Sequence, residues 1–143
     1  MNRAALSALL CSLVIAGCSD DPALIDSLAA TPTSIVIGTD TISIEPWANR
    51  DFQPGHDNDS LMAAVVLRPG EAPVIVEQLW VVRGVDVWRA APEQTLDPSM
   101  WSAKYGPPWP VGTEVYLVAD IRHEGGGAVQ RVRSLPVLIT ESS

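Results

Sequence analysis

The chain has 143 residues, 47% of them apolar and 18% charged, which is enough to bury one hydrophobic core and too little for two. Nine basic side chains stand against 17 acidic ones, a net charge of −8. That balance excludes nucleic acid as an expected partner, because proteins that bind it gather positive charge on one face.

The N-terminus is organised as a leader. Met1-Asn2-Arg3 carries one positive charge, and residues 4–16 follow without any charge. This is the pattern of a secretory signal peptide. The apolar run is short of the roughly 20 residues that a membrane-spanning helix needs, so retention at a membrane requires another device. Directly behind the run stands Ile15-Ala16-Gly17-Cys18: an aliphatic residue, two small ones and a cysteine.

These four residues resemble the lipobox of bacterial lipoproteins. The resemblance implies cleavage between Gly17 and Cys18, a diacylglycerol thioether on the Cys18 sulfur, and further acylation, for example by palmitate, at the new amino terminus. Each buried CH₂ adds about 0.8 kcal/mol, so two or three chains anchor a protein that one would not hold. Ser19, rather than Asp, follows the cysteine. For a Gram-negative cell the resemblance then implies the outer membrane. Cys11 is lost with the leader, so Cys18 has no partner for an intramolecular disulfide. Removing residues 1–17 takes away Arg3 and no acid, which brings the side-chain balance to −9. Taken as a whole, such a body is repelled by anionic headgroups, and acyl chains must hold it.

The mature chain divides into the lipidated cysteine with a tether, 18–33, and a domain, 34–143. Residues 19–33 could span about 50 Å if fully extended. They read either as a plain spacer or as a short helix capped by Asp21 and opened by Pro22, with Leu24, Ile25 and Leu28 on one side. From Ser34 on, runs of Val, Ile, Leu and Thr alternate with Gly, Pro, Asn and Asp clusters. This pattern predicts strands over 34–37, 41–48, 60–68, 74–82, 85–90, 113–123 and 128–140, with a short one near 99–103.

The best-determined piece is the last hairpin. Val115, Leu117, Ala119 and Ile121 alternate with polar neighbours, which gives one core face and one largely wet face. A turn centred on Gly125-Gly126 sets Asp120 opposite Arg131, Ala119 opposite Val132 and Arg122 opposite Val129. Other registers oppose Arg122 to Arg131 or turn Arg131 into the core. Pro136 interrupts the final strand and suits an edge, a bulge or a change of sheet.

Seven or eight short strands in about 110 residues resemble an immunoglobulin-like or fibronectin-like domain. The fold expected is therefore all-β: a single antiparallel β-sandwich of about seven strands. The Cys…Trp…Cys signature of true immunoglobulin domains is absent from the chain, and a small closed barrel is the competing architecture.

Trp80, Trp88, Trp101, Tyr105, Trp109 and Tyr116 fall within one third of the chain. Exposed together, Trp88, Trp101 and Trp109 would make a platform on which sugar rings of a glycan or peptidoglycan stack. The simpler reading places Trp80 in the sandwich core, with Trp101 and Trp109 over its open end. The proline-rich Tyr105–Pro110 segment reads as a rigid crossover into the next strand rather than a motif displayed to a partner. Asp51, His56, Asp57, Asn58 and Asp59 offer hard ligands, but without EF-hand spacing they read as a turn, and no metal is expected there. His123 and the glycines after it lack the Lys-Ser/Thr of a phosphate loop, and no G-x-S-x-G nucleophile exists. Arg122, Arg131 and Arg133 share the outer face of the hairpin and read as a solvated sheet face.

No cofactor is expected, and the routes to catalysis lack recognisable players. The function expected is non-enzymatic: binding or structural support by a lipid-anchored envelope protein with a protein partner there. Glycan binding through tryptophan is the alternative, and a small envelope enzyme the third reading.

Overall fold

The structure is a computed structural model that describes residues 21–51 and 60–142. Its elements in chain order are α1 (Pro22–Ala29), β1 (Ile35–Ile37), β2 (Asp40–Asp51), β3 (Leu61–Arg68), β4 (Val74–Arg83), β5 (Asp86–Ala90), β6 (Glu93–Gln94), β7 (Met100–Gly106), β8 (Glu114–His123), β9 (Gln130–Arg133), β10 (Val137–Leu138) and β11 (Thr140–Ser142).

One sheet has the order β1-β2-β3-β7-β6, with β11 added in parallel to the far end of β2. The other has the order β10-β8-β4-β5, with β9 also paired to β8. With β2 as the first strand, these orders match the A-B-E-D and C′-C-F-G layers of an immunoglobulin-like sandwich. The chain is thus an all-β sandwich of two separate sheets, and the barrel is not formed. Pro46 sits in β2 between the stretch paired with β1 and the stretch paired with β11, where the missing N–H interrupts neither ladder.

The inward residues alternate along each strand and meet between the layers: Ile42 and Ile44 from β2, Val65 and Leu67 from β3, Val81 from β4 and Leu117 from β8 all join one core. Two bulges change the parity of this alternation. At Glu77 the β4–β8 register shifts by one, so even-numbered Val74 and Val76 and odd-numbered Leu79 and Val81 all point inward. At Lys104–Tyr105 the β3–β7 register shifts likewise, with Tyr105 at φ +67°. A bulky side chain in that region is unusual, and it stands almost wholly in solvent.

The hairpin register is as expected: Ala119 opposes Val132, Asp120 opposes Arg131, and Val118 opposes Arg133. The ladder stops at Ile121–Gln130, and residues 124–129 form a wider loop than two residues. The expected strand 128–140 is three strands in two sheets. Between β9 and β10 the register to β8 shifts by one residue, and the Ser134 hydroxyl accepts the Leu117 N–H at 2.9 Å. After β10 the chain passes through buried Ile139 into β11 on the opposite sheet. Pro136 therefore marks a bulge, an edge and a change of sheet at once.

Trp88 lies between the sheets with its ring against the backbone of Gly106. A Cβ placed on Gly106 would come within 2.7 Å of the indole carbons. Gly106→Ala is expected to destabilise the domain by about 1–3 kcal/mol, the usual cost of overpacking. Urea unfolding followed by tryptophan fluorescence measures it, and an unchanged midpoint would show that the ring moves aside freely.

Candidate functional site

The cleavage and lipidation residues, Gly17 and Cys18, lie outside the described residues, as do His56, Asp57, Asn58 and Asp59. Among the described residues no group of three or more His, Cys, Asp or Glu side chains is placed to hold a metal.

The three indoles that the alternative reading made a stacking platform, Trp88, Trp101 and Trp109, are used in the interior. Trp109, at 7% exposure, belongs to the inter-sheet core, and the Arg83 guanidinium lies 4.7 Å from its ring centroid. Trp88 and Trp101 are half-buried and pack against the same core. Opposite residues on adjacent strands share a face, and their partners Val81 and Val65 point inward. The three therefore form no common solvent-facing surface. The crossover reading of the Tyr105–Pro110 segment agrees with the burial of Trp109. Trp47, half exposed on the outer face of β2, is the accessible indole that the sequence pattern did not single out.

Trp80 is placed differently from expectation. It points away from the inter-sheet core and joins a second cluster with Val82, Val118 and Leu28. This cluster forms on the outer face of the β4–β8 sheet, and its cover is α1. The helix begins as the residues suggest: Asp21 caps it by accepting the Ala23 N–H at 3.0 Å, and Pro22 opens it. Leu24, Ile25 and Leu28 then lie on one side and pack on Trp80, Val82, Val118, Val87 and Tyr116. Leu28 is fully buried. The segment expected as spacer or helix is thus a docked helix, and it covers part of the face expected to be wet.

The rest of this face is built from arginine. Arg89 and Arg131 lie over the Trp80 ring at 4.9 Å and 5.1 Å from its centroid. Each such contact contributes about 0.5–2 kcal/mol, depending on desolvation. Arg131 also donates to Asp120 at 2.9 Å, and Arg122 pairs with Glu77 from the bulge. Arg133 donates to the Ala29 carbonyl at 2.6 Å, at the C-terminal end of α1, where a cation is favoured, and lies over the Tyr116 ring. Arg122, Arg131 and Arg133 share one face, as the register requires, but they clamp rings, carboxylates and a helix end.

A separate cleft of about 410 Å³ lies where the β3–β4 turn meets the loop before β7, and is lined by Glu71, Asp97, Ser99 and Glu124 among others. The Ser99 hydroxyl and backbone N–H donate to Asp97, at 2.7 Å and 3.0 Å, and hold its carboxyl below the usual value. Next to Glu124 in the chain, His123 Nδ1 accepts the Gly125 N–H at 2.9 Å, so this histidine shapes the turn.

Two outcomes follow from the covered face. Leu28→Ala is expected to cost about 2–5 kcal/mol, the range for emptying a buried leucine site, and to shift tryptophan emission to the red as Trp80 becomes wet; urea titration with emission spectra measures both. Burial pushes the Tyr116 phenol above its ordinary value, and Arg133 opposes this only in part. A raised folded-state value means that the unfolded chain loses its proton first, so this contribution is intact below pH of about 10 and fades as pH rises beyond it. Tyr116→Phe should flatten the alkaline fall in stability, as read from unfolding midpoints between neutral and strongly alkaline pH. No protein-family model, no curated protein and no solved structure matches this chain, so the assignment of its role rests on its own residues and geometry.

Proposed function

We propose that the mature chain is a lipid-anchored bacterial cell-envelope protein whose β-sandwich has a binding or structural role rather than a catalytic one. The observation that carries this reading is Ile15-Ala16-Gly17-Cys18 directly behind a charged, then apolar, leader. The cysteine supplies the thiol for a diacylglycerol thioether, and the small residues before it fit the peptidase that cuts there. The body is anchored outside the cytoplasm and, where the cell is Gram-negative, in its outer membrane, an address with which Ser19 is consistent.

A binding or structural role agrees with how the charged side chains are used. Arg68–Glu45, Arg83–Asp86, Arg122–Glu77 and Arg131–Asp120 are ion pairs that link neighbouring strands or brace turns. An envelope protein joined through a sheet edge or loop is the partner of choice.

The test is direct. Full-length protein recovered from a bacterial membrane fraction is expected to begin at Cys18 and to carry the mass of a diacylglycerol plus an amide-linked acyl chain. Cys18→Ser should abolish both the modification and the cleavage, leaving the unprocessed chain. An unmodified Cys18 in the mature protein, or processing that ignores the substitution, would overturn the proposal.

A further inference from the structure

Resting on the lipid-anchor reading, we infer that the surface carrying α1 and the arginines beside it faces the bilayer, with Arg89 and Arg122 meeting lipid headgroup phosphates. The first argument is reach. An unstructured tether of residues 19–33 would let the domain float about 50 Å away. In the structure α1 is docked from its cap at Asp21, so only residues 18–20 separate the anchor sulfur from a helix held on this face. Three residues span at most about 11 Å. The outer face of the other sheet lies across the sandwich, farther from the anchor by at least the roughly 10 Å between layers.

The second argument is charge. The body is strongly acidic, yet Arg89, Arg122, Arg131 and Arg133 stand together here. The acids among them are engaged: Glu77 pairs with Arg122, Asp120 pairs with Arg131, and Asp21 caps α1. Asp26 and Glu114 remain, on the helix and at the far end of β8. Arg89 is exposed and has no carboxylate partner among the described residues; its guanidinium lies over Trp80, 4.9 Å from the ring centroid. A guanidinium beside a ring and without a carboxylate keeps its N–H donors available to phosphate oxygens. Four arginines against these five acids leave the face near neutral, whereas the rest of the mature body carries nearly all of its −9, so this is the orientation that an anionic membrane repels least.

Arginine-selective modification by phenylglyoxal, mapped by mass spectrometry, tests the inference. Arg68 and Lys104, both on the outer face of the other sheet, serve as internal controls, with Lys104 read by an amine reagent. Two preparations separate this inference from the one it rests on: the natively processed protein, and the chain from Cys18 onward coupled through its thiol to a maleimide lipid. An unmodified Cys18 in the first would sink the anchor reading, while the second would still report which surface faces the membrane. On vesicles of phosphatidylcholine with phosphatidylglycerol, Arg89 and Arg122 should react more slowly than on the same chain in solution, with Arg68 and Lys104 unchanged. Arg89→Gln should reduce the protection of Arg122 about fivefold, the effect of one cation near an anionic surface. Equal protection of Arg68, or no protection of Arg89, would overturn the inference.

Discussion

The structure depends on β4 and β8 being buried on both faces. Leu79 and Val81 with Leu117 and Ala119 point between the sheets, while Trp80, Val82 and Val118 point the other way. A two-layer sandwich covers the first set and leaves the second in water. The chain solves this with eight residues of helix, although an isolated helix of that length has no appreciable stability in water. Sheet face and helix therefore require each other: the helix exists because the face is apolar, and the face is tolerable because the helix lies on it.

Arginine is the second recurring element. The chain has eight arginines and one lysine. The structure shows what the flat guanidinium does that an ammonium would not. Arg83 lies over Trp109 while pairing with Asp86, and Arg131 lies over Trp80 while pairing with Asp120. Each seals an aromatic ring at the border of a cluster and satisfies a carboxylate with the same group. Lysine at these positions would keep the charge and lose the stacking surface. Four of the eight arginines, Arg83, Arg89, Arg131 and Arg133, thus lie where aromatic rings need covering.

Much of the fold was legible because alternation is a strong signal where one face is wet. The strand at 113–123 and its register to Arg131 follow from residue parity and charge pairing alone. Legibility failed where both faces are buried. Leu79-Trp80-Val81-Val82 is a continuous apolar run, and such a run means cover on two sides, so the outward direction of Trp80 and the docking of Leu24, Ile25 and Leu28 were together available in principle. The tryptophans illustrate the same limit. Composition reveals a cluster near Trp88, Trp101 and Trp109, but whether indoles face in or out depends on strand pairing, and β7 pairs with the distant β3 through a bulge that no local pattern reveals. The break of 128–140 into three strands was foreshadowed only by Pro136. The anchor motif lies entirely in residue identity and owes nothing to the fold.

The kink at Ser134–Pro136 has a further consequence for proteins held side by side. A bare sheet rim is a template on which a neighbour's strand can add, and repeated addition builds fibres. Here the rim formed by β9 and β10 is interrupted after four residues, and one of those four already donates its N–H, from Arg133 to the Pro32 carbonyl at 2.8 Å. A foreign strand arriving there finds too short a stretch of open backbone to grip, so the sandwich can be crowded without polymerising along that border.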